Sequence, residues 1–151
     1  MPRILVDADA CPVKDEIYEI AFRHQVCVMI VSNSHIRVPD HPLIGREVVG
    51  AGFDEADDWI AERAAPDCVI ITGDILLADR CLKKDAVVIA PNGKPFTANS
   101  ISGAIATRAI MADLRAGIGN SGGPAPFAKM DRSRFRSSLD ETLVRLKRIG
   151  R

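Results

Sequence analysis

Two aspartates separated by one alanine, Asp7-Ala-Asp9, follow directly on the aliphatic run Ile4-Leu-Val6. Carboxylates so placed either punctuate a turn or hold a cation. Thr72-Gly-Asp74 follows a second aliphatic run, Cys68–Ile71, and Asp79 comes about one helical turn later. Asp54, Asp57 and Asp58 are spaced i, i+3 and i+4, which puts them on one face of a helix. Gathered carboxylates raise one another's pKa unless a cation sits among them. A set rich in oxygen and poor in histidine suits Mg2+ or Mn2+ better than zinc. Such ions activate water and stabilise the charge of an in-line phosphoryl displacement. Each acid also has a plainer explanation. Asp74 can cap a helix, Asp79 can be a solvated helix residue, and Asp54 can be an ordinary first-turn acid. Asp7 resists that treatment, because it directly continues a buried strand.

A second group of polar residues could meet a phosphate. Ser32, Asn33, His35 and Arg37 follow the run Val26–Val31, and Ser121-Gly-Gly123 could form a nest of backbone N–H groups for an anion. Gly-Pro stretches also simply turn a chain, and a lone histidine in a polar loop is ordinarily just exposed. Arg132, Arg134 and Arg136 belong to a basic tail, read either as a solvated helix face or as a polyanion contact. Cys11 stands at a helix start with no partner base in sequence, so it is assigned to capping or packing.

These residues must be positioned by the elements between them. Arg3–Val6, Val26–Val31, Cys68–Ile71 and Ala86–Ala90 read as buried strands, with a brief strand at Glu47–Val49. Pro12 suits the first position of a helix, and Ile17, Ile20 and Ala21 give that helix an apolar face. Further helices are expected at 54–65, after Asp74 to about Lys84, at 100–116, and from about Asp131 to Arg148. Phe135, Leu139, Leu143 and Leu146 are the inward face of the last one. The strands are continuous aliphatic runs alternating with helices, which indicates an α/β domain with a mainly parallel sheet covered on both faces. In such sheets, sites collect beyond the carboxyl ends of the strands. Asp7, Asp9, Asn33, Thr72 and Asp74 all fall there.

The whole chain sets the limits. Its 151 residues suit one domain, with 117–151 a glycine-rich loop followed by a basic helix packed on it. Basic and acidic residues balance at 20 each, so there is no global pull toward nucleic acid or membrane. The charges are not evenly spread: 128–151 holds 8 basic residues against 3 acidic, whereas 1–127 holds 12 against 17. The four cysteines include no C-x-x-C pair, which argues against a zinc knuckle or a thioredoxin-type site. No apolar stretch approaches the roughly 18 residues needed to span a bilayer. With no signal peptide evident, a cytoplasmic protein with reduced thiols is expected. Seven aromatic residues leave few stacking platforms for single-stranded bases. A homo-oligomer is compatible with the sequence, which does not specify one.

Two resemblances follow. Asp7-Ala-Asp9, Ser32 and Gly73-Asp74 with Asp79 imitate three of the four motifs of haloacid-dehalogenase phosphatases. In that reading Asp7 is the nucleophile and Asp9 the acid–base. Against it, no lysine occurs between Lys14 and Lys83, and a helix opening at Pro12 leaves no room for the helical turn and flap that follow D-x-D there. Nearly end to end, the chain is more similar to the bacterial YaiI/YqxD family, usually grouped with PIN-like nuclease folds. Val6-Asp-Ala-Asp-Ala-Cys-Pro12, Arg37-Val-Pro39, Gly52-Phe-Asp-Glu-Ala-Asp57, Ile71-Thr-Gly-Asp-Ile-Leu-Leu-Ala78, Pro91-Asn-Gly93 and Ser121-Gly-Gly-Pro124 carry that resemblance together.

The PIN-like grouping implies a three-layer α/β sandwich and metal-dependent cleavage of RNA. Its acids map to Asp7, Asp57 and Asp74, with Asp9 as a further candidate. These four are the expected catalytic residues, and with Asp79 the expected ligands of Mg2+ or Mn2+. Asn33, Arg37, Thr72, Ser121, Gly122, Gly123, Arg132 and Arg136 are the expected substrate contacts. PIN domains commonly carry another acid after the next strand, where this chain has Ala90-Pro-Asn-Gly93. Either Asp9 or Asp79 replaces it, or the site is incomplete and the chain is an RNA-binding or interaction module without catalysis.

Overall fold

The computed structural model describes residues 2–50, 55–101 and 129–150. Six strands form one sheet: β1 (Arg3–Asp7), β2 (Cys27–Ser32), β3 (Ile44–Val48), β4 (Cys68–Ile71), β5 (Val87–Ile89) and β6 (Pro95–Phe96). Their order is β3-β2-β1-β4-β5-β6, parallel except for β6, which runs antiparallel on β5. Four helices accompany them: α1 (Lys14–His24), α2 (Glu55–Arg63), α3 (Ile75–Leu82) and α4 (Lys129–Gly150). Residues 98–101 are also helical. No helix among the described residues is long and apolar enough to cross a membrane.

Alternate side chains of each strand pack into different cores, as strand geometry requires. Ile4 and Val6, Val28 and Ile30, and Val69 and Ile71 face α1 and α4. Leu5, Val31, Cys68, Ile70 and Val88 face α2 and α3. The result is three layers, helix–sheet–helix, consistent with the expected sandwich and its mainly parallel sheet.

The chain ends are fixed by local chemistry. Gln25 closes α1 in the left-handed conformation at φ 56°, and the Asp74 carboxylate caps α3 by accepting from the N–H groups of Leu76 and Leu77. The Pro91–Gly93 turn sits against the backbone of α4. A Cβ at Gly93 would fall 2.6 Å from the carbonyl carbon of Arg134, and its φ of +90° disfavours any other residue.

Three expectations need adjusting. Pro12 does not open α1, because a 3-10 turn at Ala8–Ala10 follows β1, Cys11 is extended, and the helix starts at Lys14. Strand β3 starts at Ile44 rather than Glu47, pairing along β2 from Val28. It is an edge strand, and Ile44 is the one buried residue in it, so its sequence lacks an aliphatic run. The short antiparallel β6 was not anticipated. The helix expected at 100–116, apart from its first residues, and the glycine-rich segment with Ser121, Gly122 and Gly123 lie outside the described residues, as does Asp54.

Helix α4 is an integral layer. Phe135, Leu139 and Leu143 are fully buried, and Leu146 nearly so. Arg132 donates to the buried Glu16 carboxylate at 3.0 Å and to the Pro12 carbonyl at 2.7 Å. Arg136 meets Glu19 at 2.8 Å, and Asp140 meets His24 at 2.6 Å. Because the fit is apolar at its centre, Phe135→Ala should lower the unfolding free energy by about 3–5 kcal/mol. Urea denaturation measures this, and a loss below about 1 kcal/mol would show that α4 is peripheral.

Candidate active site at the carboxyl ends of the central strands

Strand order reverses at β1. The chain leaves β1 through α1 toward β2 on one side, and returns through α2 to β4 on the other. Such a reversal leaves a crevice beyond the strand ends, where ligands of open α/β sheets bind. Asp7 is the last residue of β1 and Thr72 the first after β4, so they face each other across the crevice.

A short hydrogen-bond chain joins them. The Asp74 backbone N–H donates to Thr72 Oγ1 at 3.0 Å, and Thr72 Oγ1 donates to Asp7 Oδ2 at 2.9 Å. Thr72 is buried, so its hydroxyl is a fixed strut between the two aspartates. Asp74 Oδ1 is used in capping α3, accepting at 2.9 and 3.3 Å. Asp9 lies at the surface in the 3-10 turn and accepts from the Asn33 N–H at 2.9 Å, tying the end of β2 to the same crevice. The Asn33 side chain reaches the Gly50 carbonyl at 3.4 Å. Asp7, Asp9 and Asp74 therefore each have one oxygen anchored by the chain.

Burial pushes the Asp7 carboxyl above its ordinary value. The Thr72 hydrogen bond opposes this, and the charges of Asp74 and Asp9 add to the rise. Burial also raises the Cys11 thiol, with Asp7 among the charges acting on it, which makes Cys11 a packed side chain rather than a nucleophile.

The remaining residues are placed differently. Asp57 is half-buried in the first turn of α2, near enough to Cys81 for its charge to help raise that thiol, which burial chiefly pushes to about 11. The charges raising Asp7 are those of Asp74 and Asp9. Asp79 pairs with Lys83 at 3.0 Å along α3, and Asp58 with Arg80 at 2.9 Å. Arg37 is exposed in the loop between β2 and β3. Arg132 and Arg136 hold α4 to α1.

Among the described residues no three His, Cys, Asp or Glu side chains are arranged to hold one metal ion. Mg2+ does not need such a cage, since it is usually bound by one or two carboxylates together with waters and substrate phosphates. Asp7 and Asp74, braced by Thr72, fit that demand in donor chemistry, with Asp9 at the rim. Sequence reasoning did not find Thr72 as the strut or Glu16 as the anchor of α4. A hydroxyl directly after a fully buried strand, opposite an acid after its neighbour, is a signal for the first. Glu16 follows Asp15 in the first turn of α1, where acids are ordinary, and carries no such signal.

Sequence relatives match this chain across nearly its whole length. Residues 5–145 match the family described as "Uncharacterized BCR, YaiI/YqxD family". A UPF0178 protein of Sphingopyxis alaskensis is 67% identical over 148 residues, covering 97% of this chain and 96% of its own. UPF0178 proteins of Bradyrhizobium diazoefficiens and Nitrobacter winogradskyi are 60% and 58% identical, each over 146 residues and 97% of this chain, and 87% and 93% of their own. No solved structure matches. The chain belongs to the YaiI/YqxD family.

Proposed function

We propose that this protein is a divalent-metal-dependent phosphodiesterase acting on RNA, in the manner of PIN-like nucleases. The observation that carries the reading is the Asp7–Thr72–Asp74 chain, set in the crevice where strand order reverses. Asp7 is half-buried, is crowded by two like charges, and receives its hydrogen bond from a neutral hydroxyl. A dication between Asp7 and Asp74 would relieve that repulsion. Asp7 and Asp74 would hold Mg2+ or Mn2+, with Asp9 available at the rim. When bound, the ion supplies an activated water and charge stabilisation at the phosphate. Thr72 holds the Asp7 carboxylate in one orientation, and the helix cap does the same for Asp74. Asn33 fixes Asp9 through its N–H, and Arg37 is exposed on the adjoining loop, where a phosphodiester backbone would pass. Arg132 and Arg136 are engaged with α1, so the phosphate contacts are assigned to Arg37 and to backbone N–H groups.

One observation favours a second reading. The 3-10 turn at Ala8–Ala10 begins within Asp7-Ala-Asp9, close to where haloacid-dehalogenase phosphatases have a helical turn. The chain still offers no lysine in the interval that those enzymes require. In this reading Asp7 attacks phosphorus as the ester P–O bond breaks and Asp9 protonates the departing alcohol, and water then hydrolyses the aspartyl phosphate to free phosphate.

The two readings separate in one set of assays. The purified protein should cleave single-stranded RNA with Mn2+ or Mg2+ and not with EDTA, and Asp7→Asn should lower the rate by about 100-fold or more. Release of phosphate from p-nitrophenyl phosphate, with a beryllofluoride adduct on Asp7, would establish the phosphatase instead. Metal-independent cleavage, or unchanged activity in Asp7→Asn, sinks the nuclease reading.

Asp7 also gives a stability prediction that needs no substrate. Its raised pKa means that the folded chain holds this proton more tightly than the unfolded chain does. Stability from the neutral form is therefore lost as pH rises from the ordinary value, 3.8, through the folded pKa. Ionised Asp7 is a cost at neutral pH. Asp7→Asn should raise Tm at about pH 7, with the gain shrinking toward about pH 4, as followed by circular dichroism. Mn2+ should raise the Tm of the wild type and leave that of Asp7→Asn unchanged.

A further inference from the structure

The opposite end of the sheet, at the amino ends of the strands, holds a cavity of about 400 Å3. Leu5 and Met29 form its floor on the α2 side of the sheet, and Trp59 and Arg63 of α2 form a wall. Arg3 and Cys27 are paired in register on neighbouring strands and stand at its mouth. Gly45 leaves room for the end of the Met29 side chain, since a Cβ there would fall 2.9 Å from Met29 Cε. Arg3 and Asp7 are the two ends of β1, so about 13 Å of strand separates this cavity from the crevice.

Both charged groups that line the cavity are guanidinium ions. Arg63 is stacked 3.8 Å over the Trp59 ring and donates to the Trp59 carbonyl at 3.0 Å, which fixes its plane. Arg3 is steered by a contact from its guanidinium to Cys68 Sγ at 3.2 Å. Their acidic neighbours, Glu62 and Asp67, do not line the cavity, and they approach only to 3.7 and 4.0 Å at the exposed surface. Exposed pairs of that length contribute little. Two oriented guanidinium groups above an apolar floor are complementary to a planar carboxylate on an apolar body. The volume lies in the range of small-molecule sites and has room for on the order of a dozen non-hydrogen atoms.

We propose that this cavity binds a small organic anion, an aryl carboxylate whose ring system rests on Leu5, Met29 and Trp59 and whose carboxylate meets Arg63 and Arg3. The site is independent of the crevice chemistry.

Two reporters are built in. Cys27 is the exposed one of the four cysteines, and Trp59 is the single tryptophan. The probe is 2-naphthoate, with uncharged 2-naphthamide of the same shape as its control. Naphthoate at submillimolar concentration should slow alkylation of Cys27 by N-ethylmaleimide in a saturable way and shift the Trp59 indole N–H resonance. Naphthamide should bind about tenfold more weakly, and Arg63→Gln and Arg3→Gln should each narrow that difference. Both arginines are half-exposed at the surface, and circular dichroism checks the fold of each variant. Equal protection by the two probes, undiminished preference for naphthoate in both variants, or no effect on Cys27 and Trp59 below millimolar concentration would overturn the proposal.

Discussion

A strand paired on both edges and covered on both faces has no place for a charged side chain until it ends. Strand β1 is in that position, with β2 and β4 beside it and a helical layer on each face. Ile4, Leu5 and Val6 are accordingly buried, and Asp7 is the first position at which a carboxylate reaches the crevice. Even there it is only half-exposed, so it keeps part of the desolvation cost that the preceding residues avoid by being apolar. The parallel register of β4 then sets what faces it. Val6 lies opposite Ile71, so the next residue of each strand, Asp7 and Thr72, meet as a carboxylate and a hydroxyl. Asp74 is brought in because α3 must start there and its first N–H groups need an acceptor.

The basic tail is placed by its contacts with α1. In sequence, residues 128–151 are an excess of positive charge following a chain with an excess of negative charge. In space, Arg132 meets Glu16, Arg136 meets Glu19, and Asp140 meets His24 and Arg23, all between α4 and α1. Two of the tail's eight basic residues are therefore complements of acids on the helix packed against it. The pair Arg132–Glu16 has one buried member, so removing the arginine would leave Glu16 as a buried charge with a reduced hydrogen-bond set. A helix fixed in this way closes the layer over Ile4, Val6 and Ile71, which is the apolar ground on which the crevice stands.

What the sequence made legible follows from how each feature is encoded. Strands β1, β2, β4 and β5 were readable because burial on both faces demands continuous aliphatic runs. Strand β3 was readable only in part, because an edge strand with one buried residue lacks that demand. The meeting of Asp7, Asp9 and Asp74 was readable from strand ends alone, since adjacent parallel strands end together. For Asp57 the sequence offers its place on a helix without saying which way that face of the helix turns. Its proximity to Cys81 depends on how α2 packs on α3. The partners of Arg132 and Arg136 were hidden for a similar reason: a charge count records sign and not the helix lying opposite. Pro12 misled because a 3-10 turn and an extended cysteine, neither with a strong sequence signature, intervene before α1.

The electrostatics of Asp7 link the fold to the proposed chemistry. A buried carboxylate is ordinarily matched by a lysine, an arginine or several N–H donors. Asp7 instead receives a hydrogen bond from Thr72, a neutral group, and has Asp74 and Asp9 as its charged neighbours. Thr72 lowers the cost and the two acids increase it, with burial the largest effect of all. The arrangement is stable with a proton on Asp7 or with a cation beside it, and least stable with neither. A site built only for stability would place an asparagine at this position, keeping the Thr72 bond without the charge. Retaining the carboxylate has a use when something positive, supplied from outside the chain, occupies the crevice, and a divalent ion carrying a phosphate ester meets that condition.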